Sequence, residues 1–244
     1  MQRQLKRHNG WDIAIHWFNT VCWLLLFFTG VALISNKNMA PFGQWYPEAV
    51  RSLFGGGADG GAGLLMFHQV LGGIWVLGFV IYLIFNMSGA KYFLKETFKV
   101  DVSRDVTWMV KKPFEMMLGK KGMKKVGMKP GLPPQGFYNM GQKAFAQAAV
   151  VGGIGLVITG VIMVLSQTTL AAEQTPIVQW SILLHFVFAF AVFAGLLVHI
   201  YMAAIAPEER PAFKSMFTGS VPEEYAKHHH ELWYEQVKEE ELKN

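Results

Sequence analysis

Residues 181–203 read SILLHFVFAFAVFAGLLVHIYMA, a stretch without acid, lysine or arginine that carries two histidines, His185 and His199. The uncharged run around it extends from Gln174 to Ala206. That is longer than the roughly 20 residues a helix needs to cross about 30 Å of hydrocarbon. The histidines are fourteen residues apart. In an α-helix this separation turns through about 1400°, some 40° short of four turns, and climbs about 21 Å, so both imidazoles face one way at two depths. Ionisable side chains in lipid are costly and usually functional. Two imidazoles stacked by depth on one helix make a ladder for two haems, each needing an axial ligand there.

Three more runs of the same kind lie upstream, Ile13 to Asn36, Gly60 to Ala90 and Ala144 to Ala172, in a chain of 244 residues that is 52% hydrophobic and 16% charged. Lipid offers the backbone no hydrogen-bond partner, so these runs predict helices. The expected fold is an all-α integral membrane protein, a four-helix bundle. Its helices fall at about 13–35, 64–87, 145–166 and 179–205, within a membrane domain over 1–206 followed by a tail over 207–244.

Orientation follows from lysine and arginine. The connection 89–141 holds eleven of the 22 basic residues, whereas the first connection has Lys37 and Arg51 and the third has none. The positive-inside rule makes the middle connection cytoplasmic. Arg3, Lys6 and Arg7 before the first helix, and Arg210, Lys214 and Lys227 after the fourth, place both termini on that side. The net charge of +5 is thereby explained by topology. A nucleic-acid role would need a clustered basic face on a soluble fold. The first apolar run, with His16 and Trp17 at its start and no small-residue exit, reads as a retained helix rather than a cleaved signal. Cys22 is the single cysteine and no C-x-x-C-H occurs, so coordination and packing alone must hold any haem.

With that topology His16 and His199 lie near the inner face, and His68 and His185 near the outer face. Depth pairs His16 with His199 and His68 with His185, giving two bis-histidine sites of the low-spin, one-electron type. Glycines follow the histidines: Gly72 and Gly73 one turn after His68, Gly195 one turn before His199, Gly30 in the first helix, and Gly152, Gly153, Gly155 and Gly160 in the third. They suit close helix packing and equally suit a flat macrocycle lying against a helix.

The chain resembles the cytochrome b (gamma) subunit of membrane-bound formate dehydrogenases. The resemblance rests on Ile15-His16-Trp17, Tyr138-Asn139-Met140-Gly141-Gln142-Lys143, Leu183-Leu184-His185, Val198-His199-Ile200-Tyr201-Met202-Ala203, and Lys227-His228-His229 with Trp233-Tyr234. It implies a bacterial inner-membrane electron-transfer subunit with two haem b groups. Its partners would be an iron-sulfur (beta) subunit that delivers electrons on the outer side and a molybdenum- or tungsten-containing catalytic (alpha) subunit that oxidises formate. It further implies menaquinone reduction near the inner haem, with Asn139, Gly141 and Gln142 shaping the quinone pocket. Taken by itself, Asn139 also reads as the N-cap of the third helix. Another donor, such as a hydrogenase or a thiosulfate- or polysulfide-handling complex, keeps the haems. A non-redox anchor, or a bundle whose histidines relay protons, does not.

The remaining segments suggest simpler roles. Residues 101–126 read as an interfacial helix broken near Pro113. Residues 55–63 read as a flexible glycine-rich loop, and His228, His229 and His230 as part of a solvated tail.

Overall fold

The structure, a computed structural model, describes residues 2–167 and 175–243. Residues 168–174, which take in most of the third connection and the ends of two apolar runs, lie outside the described residues. In chain order the elements are β1 (Gln4–Lys6), α1 (Gly10–Leu33), α2 (Trp45–Ser52), α3 (Gly57–Phe85), α4 (Met87–Phe98), α5 (Val102–Lys125), α6 (Met140–Ser166) and α7 (Pro176–Ile200). A π-helical turn at Tyr201–Ile205 extends α7, and a 3-10 turn at Pro207–Glu209 leads to α8 (Arg210–Thr218), β2 (Ser220–Pro222), α9 (Glu223–His229) and α10 (Glu231–Lys243). Among the described residues, four helices are long and apolar enough to span a membrane: α1, α3, α6, and α7 with its π turn.

The residues group into two compact units, one of 10–87 with 152–193, the other of 1–9, 88–151 and 194–244. In the first, the four spans meet as a bundle. Stacked rings join α1 to α7, with Phe27 and Phe193 centroids 4.0 Å apart at 10° and Trp23 on Phe193 at 6.3 Å. Glycine brings α6 against α7, since a Cβ at Gly152 would fall 2.5 Å from the Val192 side chain and one at Gly155 2.4 Å from the Phe188 ring. Polar groups link α1 to α3: Trp75 donates to Asn19 Oδ1 at 2.8 Å, and Tyr82 and Asn86 donate to Asp12 Oδ1 at 2.9 and 2.8 Å. Each such bond inside lipid satisfies groups that would otherwise sit bare in hydrocarbon.

The glycine-rich stretch differs from its expected form. Gly55 and Gly56 have positive φ, but α3 already begins at Gly57, and residues 57–63 are helical. The missing side chains admit the preceding segment: a Cβ at Gly60 would lie 2.4 Å from the Arg51 carbonyl oxygen, and one at Gly63 3.2 Å from Phe54 Cβ. The glycines therefore serve a tight α2–α3 corner rather than a loose loop. In α5 the break falls at Gly119 (φ 62°), not at Pro113, which sits inside the helix. A proline removes one N–H donor, whereas the left-handed backbone at 119 suits glycine and ends the helical path.

The second unit overturns the solvated tail. Strand β1 pairs antiparallel with β2, Leu5 opposite Val221. Leu5, Phe137, Val221, Tyr225, Ala226 and Trp233 form its apolar core. His230 is 0% exposed and its Nδ1 lies 2.8 Å from the Gly136 carbonyl. Burial, and next the nearby Arg7 charge, hold its pKa well below the ordinary histidine value. The ring is thus neutral, and its Nδ1–H donates.

Because the folded pKa of His230 is depressed, its contribution to stability is complete above the unfolded value of about 6.5 and declines as pH falls below it. Thermal unfolding or protease resistance of the tail should therefore weaken between pH 7 and 5, with a slope approaching 1.4 kcal/mol per pH unit. His230→Gln, which keeps a donor for Gly136, should flatten that slope; an unchanged slope would assign the acid sensitivity to other groups.

Candidate functional site

Two of the four singled-out histidines, His68 on α3 and His185 on α7, come together in the first unit. Their ring centroids are 6.4 Å apart and their planes are inclined at 66°. Each ring is held by a threonine from a third or fourth helix. Thr29 Oγ1 of α1 lies 2.8 Å from His68 Nδ1 and donates to the Leu25 carbonyl at 2.7 Å. Thr159 Oγ1 of α6 lies 2.8 Å from His185 Nδ1 and donates to the Gly155 carbonyl at 2.6 Å. A hydroxyl has one hydrogen. Since each threonine gives that hydrogen to its own helix, it accepts from the histidine. Both rings are therefore Nδ1–H tautomers, and each Nε2 keeps its lone pair.

The residue after each threonine is glycine, and each meets the same histidine. A Cβ at Gly30 would lie 3.3 Å from His68 Cε1, and one at Gly160 3.5 Å from His185 Cε1. Beside His68 on its own helix, Gly73 has nothing within 4 Å of where a Cβ would stand, and Gly72 has only Leu26 Cδ2 at 4.0 Å. Thr29 and Thr159 are not among the residues that the sequence singles out by charge or depth, but Thr29-Gly30-Val31 and Thr159-Gly160-Val161 repeat one tripeptide in two apolar runs. α1 and α6 each supply Thr-Gly, and α3 and α7 each supply the histidine.

His16 is half-buried on α1, with its ring edge-on to Trp17 at 5.1 Å and 89°. It belongs to the first unit, whereas His199 falls in the second. There Phe145 of α6 stacks on the His199 ring, centroids 4.6 Å apart at 15°. Gly195 makes room for that phenyl ring, which comes 3.0 Å from where its Cβ would be. The π turn begins two residues beyond His199.

The segment that leads into α6 is gripped at almost every residue. The carbonyls of Gln135, Gly136 and Phe137 accept in turn from Leu232 N–H (3.1 Å), His230 Nδ1 (2.8 Å) and Arg7 Nη2 (2.6 Å). Gln135 Oε1 accepts from Met140 N–H at 2.8 Å. Asn139 and Gln142 form a reciprocal capping box, Gln142 N–H to Asn139 Oδ1 at 2.9 Å and Asn139 N–H to Gln142 Oε1 at 3.1 Å. The N-cap reading of Asn139 therefore holds, and Gln142 shares in it. Both side chains use their oxygens for the cap and keep their NH2 groups for other partners. Gly141 faces Trp108, whose ring lies 3.3 Å from where a Cβ would be. Lys143 reaches Asp105 Oδ2 at 3.0 Å and the Lys99 carbonyl at 2.8 Å. Burial opposes ionisation of Asp105, but bonds from Lys143, the Asp101 N–H and Arg104 outweigh it and hold the carboxyl below its ordinary range.

Four apolar helices with paired, hydroxyl-anchored imidazoles inside them define a membrane protein of the cytochrome b type. The chain belongs to the prokaryotic cytochrome b561 family, whose model matches residues 7–219. It is 28% identical over 232 residues to the cytochrome b556 subunit of formate dehydrogenase from Haemophilus influenzae, covering 95% of this chain and 82% of that one. The nitrate-inducible formate dehydrogenase cytochrome b556(Fdn) subunit of Escherichia coli K12 is 24% identical over 243 residues, 99% of this chain and 95% of that one. The cytochrome b556(fdo) subunit of the same organism is 30% identical over 118 residues, 48% and 54% of the two chains. Family, relatives and apolar helices together make this a multi-pass protein of the bacterial inner membrane.

A cytochrome b implies haem, and the His68–His185 geometry fits it. Imidazole nitrogen binds a transition metal at about 2.0–2.1 Å, so two rings facing one ion from opposite sides have centroids roughly 6 Å apart. Ligating histidines generally donate the other ring N–H to a fixed acceptor, which sets the tautomer. Both conditions are met here, and Gly30 and Gly160 leave the ring edges uncrowded.

The capping box has a consequence that thermal unfolding can measure. Asn139→Ala and Gln142→Ala should each lower the stability of the α6 start, by about 1 kcal/mol for the Asn139 cap. Equal stability of Gln142→Ala and the parent would mean that its oxygen does not share in the cap.

Proposed function

We propose that this chain is the membrane cytochrome b subunit of a formate dehydrogenase, carrying two haem b groups and passing electrons to menaquinone. The observation that carries the proposal is the His68–His185 pair with both Nδ1 atoms fixed by threonine. The names of its relatives support the donor. In this reading His68 and His185 would hold the outer haem through Nε2, and His16 and His199 would hold the inner one. When bound, each haem iron supplies a one-electron relay that takes no substrate at the metal.

The protein's part is to bind, orient and exclude water. Thr29 and Thr159 fix the ring tautomers, Gly30 and Gly160 let the His68 and His185 ring edges come close, Gly73 leaves open space on the helix that carries His68, and Phe145 covers one face of His199. The iron-sulfur subunit, with the molybdenum- or tungsten-containing subunit behind it, docks at the outer end, and both termini are cytoplasmic, as the lysine and arginine bias requires. Quinone reduction consumes two protons and two electrons. A pocket at Asn139, Gly141 and Gln142 lies at the basic, cytoplasmic end, where protons are at hand. The Asn139 Nδ2 and Gln142 Nε2 groups left over by the cap are its candidate donors to the quinone oxygens.

Haem content tests the ligands. The full chain should hold two haems in a pyridine haemochrome assay, and His68→Ala or His185→Ala should reduce this to one. Thr29→Val or Thr159→Val, removing only the acceptor, should weaken haem retention about 10- to 100-fold. Two haems in His185→Ala would break the pairing. His16→Ala and His199→Ala should each lose the other haem and, with it, quinol formation.

Alanine scanning cannot isolate the quinone role, because it also removes the cap. Asn139→Asp and Gln142→Glu keep the accepting oxygens and the capping box while removing the NH2 donors. Each should slow quinol formation per haem about tenfold, the worth of roughly one hydrogen bond of 1.4 kcal/mol, with haem spectra unchanged. Parental turnover in both variants would move the pocket elsewhere.

A further inference from the structure

The second unit contains a cavity of about 580 Å³ that neither candidate haem site nor the capping box uses. Four cations line it: Lys6 and Arg7 from the N-terminal strand region, and Lys95 and Lys99 from α4 and the residue just after it. Glu96 and Glu240 are also in the wall, so the lining carries two net positive charges. Arg7 is 8% exposed. Its Nη2 is committed to the Phe137 carbonyl, while its Nη1 is buried with no hydrogen-bond partner. That nitrogen has almost no accessible surface and so meets no ligand, while the guanidinium lies over the Phe137 and Trp233 rings, 4.9 and 5.4 Å from their centroids, which fixes its charge in the wall. An oxyanion is the complement of a wall with that excess of positive charge.

The rest of the wall narrows the class. Tyr92, Phe137 and Trp233 supply aromatic surface beside the charges. Burial, and then Glu96, push the Tyr92 hydroxyl up to about 12, so it is a neutral donor at physiological pH. The volume falls within the roughly 300–1,000 Å³ typical of organic ligands, far more than a bare phosphate ion fills. The lining cations also belong to the basic segments that flank the spans in sequence: Arg7 is three residues before Gly10, where α1 begins, and Lys95 is ten residues after Phe85, where α3 ends. Basic pockets of segments that adjoin membrane spans on the cytoplasmic side recognise anionic lipids.

We propose that this cavity binds a phosphate ester, the headgroup of an anionic phospholipid or a soluble counterpart, with Lys6, Lys95 and Lys99 as the cations that meet it and Arg7 as a fixed positive charge in the wall behind them. The proposal does not depend on the quinone assignment.

Native mass spectrometry of the full-length protein in non-ionic detergent tests it, with phosphatidylglycerol, phosphatidylcholine and glycerol 3-phosphate as probes. Arg7 also holds the fold, so the variants are Lys95→Gln and Lys99→Gln, whose side chains are exposed. The parent should retain phosphatidylglycerol over phosphatidylcholine, and each substitution should weaken retention about fivefold, the effect of one basic residue near anionic lipid. Lys120→Gln with Lys121→Gln, removing two charges from α5, should leave retention unchanged. Binding of glycerol 3-phosphate with the same dependence on Lys95 and Lys99, without lipid retention, identifies the soluble source. The proposal is overturned if neither probe binds preferentially, or if the α5 pair weakens binding as much as the cavity pair.

Discussion

A neutral imidazole in hydrocarbon has to place two different nitrogens, one that donates and one that accepts, and the membrane core follows from how this is done. Thr29 and Thr159 each accept an Nδ1–H at 2.8 Å while giving their own hydrogen to a carbonyl of their own helix. No polar atom of either threonine is left facing lipid, and the lone pair of each Nε2 is kept for another partner. The arrangement requires α1 to approach α3, and α6 to approach α7, closely enough for a short hydroxyl to reach a ring. Glycine at 30 and 160 allows the ring edge to come that near. Glycine at 152 and 155 lets Val192 and Phe188 close the α6–α7 seam, and Trp75 and Tyr82 fasten α3 to α1. The helix packing and the chemistry of the site thus draw on the same small residues.

A different principle governs the other unit. There the backbone leading into α6 leaves regular structure for several residues, so its carbonyls must find donors from elsewhere. Arg7, His230 and Leu232 provide them, from opposite ends of the chain. The strand pair β1–β2 brings those ends together. The tail is consequently not an appendage. It is part of what gives residues 135–143 a single conformation, and a candidate pocket built there inherits its rigidity from residues nearly a hundred positions away.

What could be read from the sequence follows from the range of the interactions involved. The four spans were legible because exclusion of charge over twenty residues is a local property of composition. The approach of His68 to His185 was legible because depth along a helix can be counted. The threonines were not, since a hydroxyl that bonds its own helix looks in sequence like any other residue in an apolar run; only the repeat of Thr-Gly-Val marks it. Gly60 and Gly63 were misjudged for a similar reason. Glycine density alone does not distinguish a loose loop from a helix corner where Arg51 and Phe54 need the space. His230 was read as solvated because its acceptor, Gly136, lies 94 residues away. Pro113 drew the helix break that Gly119 makes, because proline is the more conspicuous letter even where its ring is tolerated.

The candidate ligands also differ in how their rings are steered, and this bears on what each can do. A hydrogen bond at Nδ1 fixes both the tautomer and the rotation of the His68 and His185 rings, and it raises the basicity of the opposite nitrogen. At His199 a stacked phenyl ring from Phe145 sets the plane of the imidazole and shields one of its faces, which constrains tilt and water access rather than tautomer. The first kind of control suits a group that must remain in one state. The second tolerates a change in what the ring nitrogens contact, and it is found beside a π-helical turn, a distortion frequent at functional sites.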